Sequence, residues 1–451
     1  MTSSEDQSEF NRRDFLKGSS LATLMTMLGG VRLFAQAPPE STATQTPTTK
    51  TKCAVVGLGT WGREILATLG RLPQADVAAI CDTYAPSLRR SANAAPGASQ
   101  VADYHAILDN HEIKAVIVAT PTHLHKDVIL AAIRAGKHVY CEAPLAGSIE
   151  DARTIARAAK AANKQVFQSG LQMRSDAQRH FLLPFIRSGA LGKPALARSQ
   201  WHKKQSWRFA SPNPEHEKEL NWRLSRATST GLVGEIGIHQ IDQAGWFLDA
   251  EPVAVSGYGS LLFWKDGRDV PDTVQAIVEY PNGVRLVYDA TLVNSFDSSY
   301  EVYFGSDAAI MLRENKAWMF KEVDSPLLGW EVYARKDTFY KETGIALVAN
   351  ATKIAAQGDK PAQEPPAIPP LLSALQNFLR HCQQRDAAVE DYVSVYGADD
   401  VSGLNEQLAK LPRAPGADVV DGFRATVTAI KANEAVLTGT RIELKPEWYE
   451  L

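Results

Sequence analysis

The chain has 451 residues, of which 45% are hydrophobic and 22% charged, and its formal net charge is −3. This composition is typical of a globular protein with room for two domains, and it excludes a disordered or collagen-like chain. Without a basic excess, a polyanion partner is excluded as well, so we expect no nucleic acid to bind.

The N-terminus has the pattern of an export signal. The pair Arg12-Arg13 precedes a modest apolar run, Leu21–Leu33, which closes on the small-x-small cleavage pattern Ala35-Gln36-Ala37. We interpret residues 1–37 as a twin-arginine signal peptide, which predicts the twin-arginine (Tat) export machinery as a partner and a periplasmic location. A membrane span needs about 20 apolar residues, so we expect no stable span after the signal is removed.

A linker and then an alternating pattern follow the signal. Residues 38–50 are rich in Pro, Thr and Ser, which predicts a flexible linker. From residue 51, apolar strands alternate with helical stretches, which indicates βαβ units and a parallel sheet. We therefore expect an α/β fold with a dinucleotide-binding Rossmann domain over 51–172. The predicted strands are CAVVG, VAAIC, AVIVAT, HVYCE and QVFQSG, and the predicted helices include 62–71, 126–136 and 149–162.

The second half of the chain has a different character. Two apolar segments, TVQAIVEY and VRLVYDATL, flank the turn Pro281-Asn282-Gly283, which predicts a hairpin. We expect a second, C-terminal domain over 173–451 that contains an antiparallel sheet. Within it, 358–370 contains five prolines and is predicted to be an extended connection between that sheet and the last helices.

A glycine loop directly after the first strand indicates a nucleotide site. Gly57, Gly59 and Gly62 provide the tight turn, the close approach to a pyrophosphate and the close packing of helix on strand. Thr60 and Trp61 complete this loop. Asp82, at the end of the second strand, is placed to accept hydrogen bonds from ribose hydroxyls and to repel a 2′-phosphate, so NAD is favoured over NADP.

Two further strand ends carry polar residues beside the expected cofactor. Thr120, Pro121 and His125 follow AVIVAT, where His125 is either a functional contact or a structural residue bonded to backbone. Glu142 and Pro144 follow HVYCE. Strand ends of this kind are where open α/β sheets bind ligands. A His-x-His pair without a third ligand is poor evidence for metal, and we predict no metal site.

Acid/base chemistry is predicted in the second domain. Glu235, His239 and Asp242 recur at i, i+4 and i+7, so one helix would present all three on one face, with Glu235 orienting the His239 ring. The segment WHKKQSWRF adds cations among aromatic rings, an arrangement able to stack on sugars and donate to hydroxyls. It contains Lys203, Lys204, Trp207 and Arg208. The four cysteines are expected to pack as small apolar side chains.

The chain resembles the Gfo/Idh/MocA family of NAD(P)-dependent oxidoreductases. The segments VVGLGTWG, AICD, VATPTHLH, YCEAPLA, GALGKP and EIGIHQID occur in the family's order, and the likeness runs from about residue 52 to 312 and resumes in the last helix. The resemblance implies an N-terminal Rossmann domain and a C-terminal α/β domain over 173–451. The open, mainly antiparallel sheet of the second domain would carry the substrate site and often the oligomer contacts, and the substrate would be a sugar or polyol. We accordingly expect a homo-oligomer.

The sequence departs from the family at two positions. Glu-Lys-Pro becomes Glu142-Ala143-Pro144, so the lysine expected beside the reacting hydroxyl is missing, and Asp-x-Gly-x-His has Glu235 in place of its aspartate. His239 is then the first candidate for proton transfer, with Lys203 or Lys204 as replacements. Similar loss of the lysine occurs in relatives that cleave glycosides with bound NAD. A redox-neutral glycosidase and a non-catalytic sugar-binding descendant are the alternatives to an oxidoreductase that recycles tightly bound NAD.

Overall fold

The structure, a computed structural model, describes residues 50–314, 316–329, 331, 336–339, 342–346 and 368–451. The predicted signal peptide, nearly all of the predicted linker and most of the Pro-rich connection lie outside the described residues. Within them, no helix combines the length and the apolar character that crossing a membrane requires.

Six parallel strands form the first sheet. They are β1 Thr51–Val56, β2 Ala75–Cys81, β3 Ser99–Val101, β4 Ala115–Val118, β5 His138–Cys141 and β6 Phe167–Ser169. Their spatial order is β3-β2-β1-β4-β5-β6. The strands read as apolar runs because helices cover both faces of a parallel sheet. Chain order reverses between β1 and β4, and such a switch point opens a crevice at the carboxyl ends of the strands. The predicted Rossmann architecture is confirmed.

Helices connect these strands on both faces of the sheet. They are α1 Thr60–Leu69, α2 Ala85–Ser91, α3 His105–Leu108, α4 His125–Arg134 and α5 Ile149–Ala161. The start of α5 illustrates the local cause, because the Ser148 hydroxyl accepts a hydrogen bond from the Asp151 N–H at 3.1 Å and caps the helix. The three predicted helices lie within a few residues of their expected bounds.

The second sheet has ten strands and is mixed. The strands are β7 Pro194–His202, β8 Ala254–Ser260, β9 Thr273–Glu279, β10 Arg285–Thr291, β11 Ser299–Gly305, β12 Ala308–Arg313, β13 Lys316–Lys321, β14 Lys336–Phe339, β15 Glu342–Ala346 and β16 Arg441–Glu443. Their order is β14-β15-β13-β12-β11-β7-β10-β9-β8-β16. The predicted hairpin is confirmed as the antiparallel pair β9–β10, whereas β7 runs parallel to β10.

Helices from the C-terminal half of the chain cover one face of the second sheet, and some of them also pack against the first sheet. They are α6 Ala177–Arg187, α7 Pro214–Leu220, α8 Gly231–Glu235, α9 Gly237–Leu248, α10 Pro370–Tyr396, α11 Val401–Ala409 and α12 Val419–Thr438. Leu182 and Phe247 lie in the core against the second sheet. Phe378 of α10 and Phe423 of α12 pack against opposite faces of the first sheet. The two sheets therefore share helices, and their apolar cores meet along α12.

Candidate functional site

The glycine loop has the backbone that its sequence predicts. Gly57 has φ +94°, and a Cβ there would lie 2.5 Å from the Ala119 carbonyl oxygen. A Cβ on Gly62 would lie 1.9 Å from the Gly57 carbonyl oxygen, so the start of α1 packs directly on the loop. Gly59 is exposed, and a Cβ there would meet no atom within 4 Å. Two of the glycines are thus required by packing, and the third leaves the backbone open to a ligand.

Asp82 is held rigidly at the end of β2. Its carboxylate accepts hydrogen bonds from the Leu58 N–H at 2.8 Å and from the Tyr84 N–H at 2.7 Å. One bond ties the acid to the glycine loop, so the negative charge stays beside the place where a ribose would lie. These residues fit NAD: the loop and the start of α1 would hold its pyrophosphate, and Asp82 its ribose hydroxyls.

His125 has a structural position. The ring is 1% exposed, its Nδ1 lies 3.0 Å from the Pro144 carbonyl oxygen, and its Nε2 lies 2.8 Å from the Thr120 carbonyl oxygen. Burial lowers its pKa to about 4, against opposing hydrogen bonds to these carbonyls. His125 therefore connects the ends of β4 and β5, which favours the structural of the two predicted roles, and it orients the residues around Thr120, Pro121 and Pro144.

Glu142 lies beside this connection in an unusual environment. It is 8% exposed, and its Oε1 has no hydrogen-bond partner among the described residues. Its Oε2 lies against Gly170, where an added Cβ would come within 2.7 Å. Burial raises the pKa of Glu142 to about 7, although the Trp61 and Tyr140 side chains, the Ala143 N–H and Arg223 lower it. A carboxyl group that titrates near neutral pH is able both to give and to take a proton.

The prediction that one continuous helix carries Glu235, His239 and Asp242 on one face is wrong. The chain breaks at Ile236, so Glu235 ends α8 whereas the other two residues lie on α9. The Glu235 carboxylate folds back to accept hydrogen bonds from the Thr230 N–H at 3.1 Å and the Thr230 hydroxyl at 2.9 Å. It also accepts from the Thr122 hydroxyl at 3.2 Å. These local bonds compete with a continuous helix, and they connect the second domain to the loop after β4.

His239 and Asp242 face a different network. The Asp242 carboxylate accepts two hydrogen bonds from Arg174, at 2.8 and 2.9 Å, and Arg174 also binds Asp421 at 3.0 Å. Both Asp242 oxygens are thus bonded within the protein. The His239 Nδ1 is buried and has no partner among the described residues. Burial lowers the pKa of His239 to about 4 against the raising effect of Asp242, so the ring is neutral at pH 7.

The cations of the predicted sugar segment are dispersed. Lys203 and Lys204 are exposed, with Lys204 5.2 Å from the Phe263 ring centre. Arg208 is exposed and forms an ion pair with Glu217. Trp207 is partly buried beside a cation that the sequence reasoning missed. The three cations of this segment therefore lie at the surface, and Trp207 contacts the missed cation.

The missed cation is Arg223. Its guanidinium carbon lies 4.8 Å from the Trp222 ring centre and 5.8 Å from that of Trp207, and its Nε is 3.7 Å from Glu235 Oε2. It is also among the charges that lower the pKa of Glu142. Arg223 thus lies beside Glu235, and its charge also acts on Glu142. The adjacent Trp222-Arg223 pair was the available signal in the sequence, but only the fold shows what it faces.

In the part of the chain that the structure describes, no three His, Cys, Asp or Glu side chains are grouped so that they could hold a metal ion. The four cysteines are free and buried. This agrees with their predicted packing role.

A glycine loop, a ribose-binding acid and a switch point together define a dinucleotide-binding protein with an attached open-sheet domain. Residues 51–169 match the oxidoreductase family with NAD-binding Rossmann fold, GFO_IDH_MocA, and residues 184–310 match the GFO/IDH/MocA C-terminal domain. The chain belongs to the Gfo/Idh/MocA family of NAD-dependent oxidoreductases.

Individual relatives agree with this assignment. A 1,5-anhydro-D-fructose reductase from Ensifer adhaerens is 30% identical over 262 residues, 57% of this chain and 74% of that protein. An inositol 2-dehydrogenase from Salmonella typhimurium is 28% identical over 244 residues, 53% of this chain and 66% of that protein. A solved levoglucosan dehydrogenase in complex with NADH has the same fold, with a TM-score of 0.65 over 88% of this chain and 100% of that chain at 18% identity.

Proposed function

We propose that this chain transfers a hydride between NAD and a hydroxyl-bearing or carbonyl carbon of a sugar, polyol or related carbohydrate. The observation that carries the substrate class is the position of Trp222 and Arg223, which pack on each other next to the His123 ring, while the charge of Arg223 also acts on Glu142. A residue pair of the second domain thereby lies against the loop after β4, at the edge of the cofactor crevice.

This wall has the chemistry of a carbohydrate site. Indole faces pack on the C–H faces of sugar rings, and a guanidinium donates to several hydroxyls at once. The His123 ring lies 6.0 Å from that of Trp222, which extends the wall towards the loop after β4. The relatives named for anhydrofructose and inositol support the same class of substrate.

Three side chains remain as predicted acid/base candidates. The first is His239, whose predicted pairing with Glu235 is removed by the break at Ile236. The other two are Lys203 and Lys204, which are exposed. His239 stays a candidate on its own because a neutral ring is able to accept a proton.

The substrate proposal is tested by Trp222→Ala. Loss of the stacking face should raise KM for sugars about tenfold or more, equivalent to about 1.4 kcal/mol, while the content of bound NAD is unchanged. Tyr396→Ala, at an exposed ring at the end of α10, is the matched control and should leave KM unaltered. An unchanged KM in Trp222→Ala would remove this wall from the substrate site.

Ala143 favours a second candidate function, a redox-neutral glycosidase that oxidises, eliminates, hydrates and re-reduces its substrate. A panel of sugars and aryl glycosides, read for NADH absorbance and for released phenol, separates the two. An oxidoreductase given one sugar stops after about one turnover of bound cofactor with a persistent NADH band, because each turnover consumes one NAD. Sustained phenol release without an acceptor would favour the glycosidase. Saturable sugar binding with neither signal would indicate a binding descendant.

We also propose export through the twin-arginine pathway with NAD already bound. The support is Arg12-Arg13, the apolar run and the small-x-small site. Since free NAD is scarce outside the cytoplasm, the cofactor would have to be retained and recycled. Replacing both arginines with lysine should keep the protein in the cytoplasm, as shown by cell fractionation, and the wild-type periplasmic protein should release nicotinamide dinucleotide when denatured.

Assembly into a homo-oligomer is proposed on the uncovered face of the second sheet. Tyr258 of β8 and Ile277 of β9 are 66% and 40% exposed. Light scattering should give a mass that is a multiple of the chain mass, and Ile277→Asp should reduce it. A monomer at micromolar concentration would contradict this proposal.

A further inference from the structure

Glu142 has features that an ordinary residue of a cofactor pocket does not require. It follows the last residue of β5, its side chain is more than nine-tenths buried, and Oε1 has no partner in the described parts of the chain. Buried carboxylates are normally paired with a cation or bonded by several donors. Glu142 has donors in Trp61, Tyr140 and the Ala143 N–H, yet burial outweighs them and raises its pKa. A buried acid with an unpartnered oxygen and a raised pKa is a candidate for chemistry.

The groups around Glu142 leave its charge only weakly compensated. On β5 itself lie Tyr140 and Cys141, whose pKa values are both raised well above their usual range by burial and by the neighbouring Glu142. Burial lowers the pKa of the His125 ring, on α4, to about 4. Trp61 of α1 and Gly170 after β6 carry no charge. Arg223, from the second domain, is the one nearby cation identified among the described residues.

Ala143 explains why this carboxyl differs from a typical ion-paired acid. A lysine at 143 would carry an ammonium on the next residue and would favour the ionised carboxylate. Alanine supplies no charge, and the only covalent neighbour that helps is its backbone N–H. The change that removes the expected proton carrier therefore leaves Glu142 able to hold a proton.

The topology places Glu142 on the reactive half of the crevice. Asp82, directly after β2, lies to one side of the glycine loop that follows β1, whereas β4 and β5 lie to the other side. A dinucleotide that binds across the switch point places its two halves on opposite sides of that loop. Because Asp82, which would bind the ribose hydroxyls, is on the β2 side, the nicotinamide half of the cofactor would lie on the side of β4 and β5.

We propose that Glu142 is the group that exchanges a proton with the substrate hydroxyl, an inference that rests on the proposed function. Bound NAD supplies the hydride acceptor. In the oxidative direction the substrate C–H bond breaks with both electrons leaving as hydride, the O–H bond breaks with its proton passing to the Glu142 carboxylate, and a C=O bond forms. In the reductive direction protonated Glu142 returns the proton. Arg223 is a positioning residue that interacts with the carboxyl from the second domain.

The test uses the full mature chain with its cofactor and compares Glu142→Gln with the wild type. We expect turnover to fall about 10²-fold or more while NAD content stays unchanged. Infrared titration without substrate should show a carboxylic-acid C=O band in the wild type that disappears as pH rises through neutrality, and Glu142→Gln should lack it. Glu142→Asp should restore part of the turnover. Glu112→Gln, at an exposed acid paired with Lys52, is the matched control and should change neither readout.

Ala143→Lys provides an independent measurement. An added ammonium should shift both the infrared titration of Glu142 and the pH profile of turnover to lower pH. Turnover in Glu142→Gln within about threefold of wild type, or loss in His239→Ala instead, would overturn the proposal. If no sugar reacts with the wild type, the proposed function fails, and the infrared titration still decides whether Glu142 carries a proton: an ionised carboxylate throughout the neutral range would reject it.

Discussion

Two regions of the molecule each bury a glutamate, and they hold it in opposite ways. At the cofactor edge, formed by the carboxyl ends of β1, β2, β4 and β5, Glu142 is 8% exposed and keeps one oxygen without a partner among the described residues. At the domain junction, formed by residues 229–242, Glu235 is 5% exposed and accepts hydrogen bonds from Thr230 and Thr122.

The difference shows that burial alone does not assign chemistry to an acid. The carboxylate at the junction is satisfied by donors from both domains, so it holds the domains together. For the carboxyl at the cofactor edge, burial outweighs the nearby donors and raises the pKa to about 7, which suits the proton exchange proposed for it. The hydrogen-bond donors around an acid, which depend on the tertiary fold, decide between these two roles.

The largest effect is expected from Gly62→Ala at the cofactor edge. Its Cβ would lie 1.9 Å from the Gly57 carbonyl oxygen and 2.9 Å from the Gly57 carbonyl carbon, and this backbone cannot move aside as the end of a flexible side chain could. We expect the free energy of unfolding to fall by more than about 3 kcal/mol, at the upper end of overpacking costs. Urea unfolding of the cofactor-free protein measures this change.

Gly59→Ala is the matched control for the same loop. A Cβ at Gly59 meets no protein atom within 4 Å, so stability should change by less than about 1 kcal/mol. The methyl group would instead obstruct the backbone that faces the pyrophosphate, and NAD should bind about tenfold more weakly or worse. Equal stability loss in the two variants would contradict this division of roles.

A smaller effect at the cofactor edge depends on pH. The folded pKa of His125 is lowered by burial to about 4 from an ordinary value of 6.5, so between these values the unfolded chain binds more protons. Stability is therefore complete above pH 6.5 and is lost as pH falls towards 4. From pH 7 to pH 5 this group should contribute a loss of about 2 kcal/mol.

His125→Gln should reduce the stability difference between pH 7 and pH 5, although the variant is also less stable at pH 7 because it loses a buried contact. Urea unfolding at the two pH values provides the measurement. His111→Gln, at an exposed ring, should keep the wild-type difference. An unaltered pH dependence in His125→Gln would show that the ring does not titrate as its burial implies.

The cofactor edge could be predicted from sequence to a much greater extent than the junction. Glycine spacing, strand runs and Asp82 are local signals, and the structure confirms the loop geometry that they imply. The junction could not be predicted in this way, because helical periodicity carries no information on the break at Ile236. There the chain lets Gly237 approach Tyr288, where an added Cβ would lie 2.9 Å from the ring. The partners of Glu235 and Asp242 include Thr122 and Arg174, 113 and 68 residues away.

The smallest effect is expected at the junction, from Glu235→Gln. The amide keeps the shape of the side chain but replaces one acceptor oxygen with a donor and removes the charge that faces Arg223. Because the amide keeps the other acceptor oxygen, the net cost is that of one hydrogen bond, about 1 kcal/mol. We expect the free energy of unfolding to fall by this amount without loss of bound NAD. A double-mutant cycle with Thr122→Val isolates the contact between the domains.

That cycle should give a coupling of about 1 kcal/mol, because neighbouring partners are not additive. Thr154→Val is the matched control, since its hydroxyl bonds only to the Glu150 carbonyl of its own helix, and its effect should add to that of Glu235→Gln within about 0.5 kcal/mol. The pH profile of turnover should also keep its midpoint in Glu235→Gln. A profile that shifts as far as in Ala143→Lys would instead place Glu235 in the proton transfer and remove the contrast between the two glutamates.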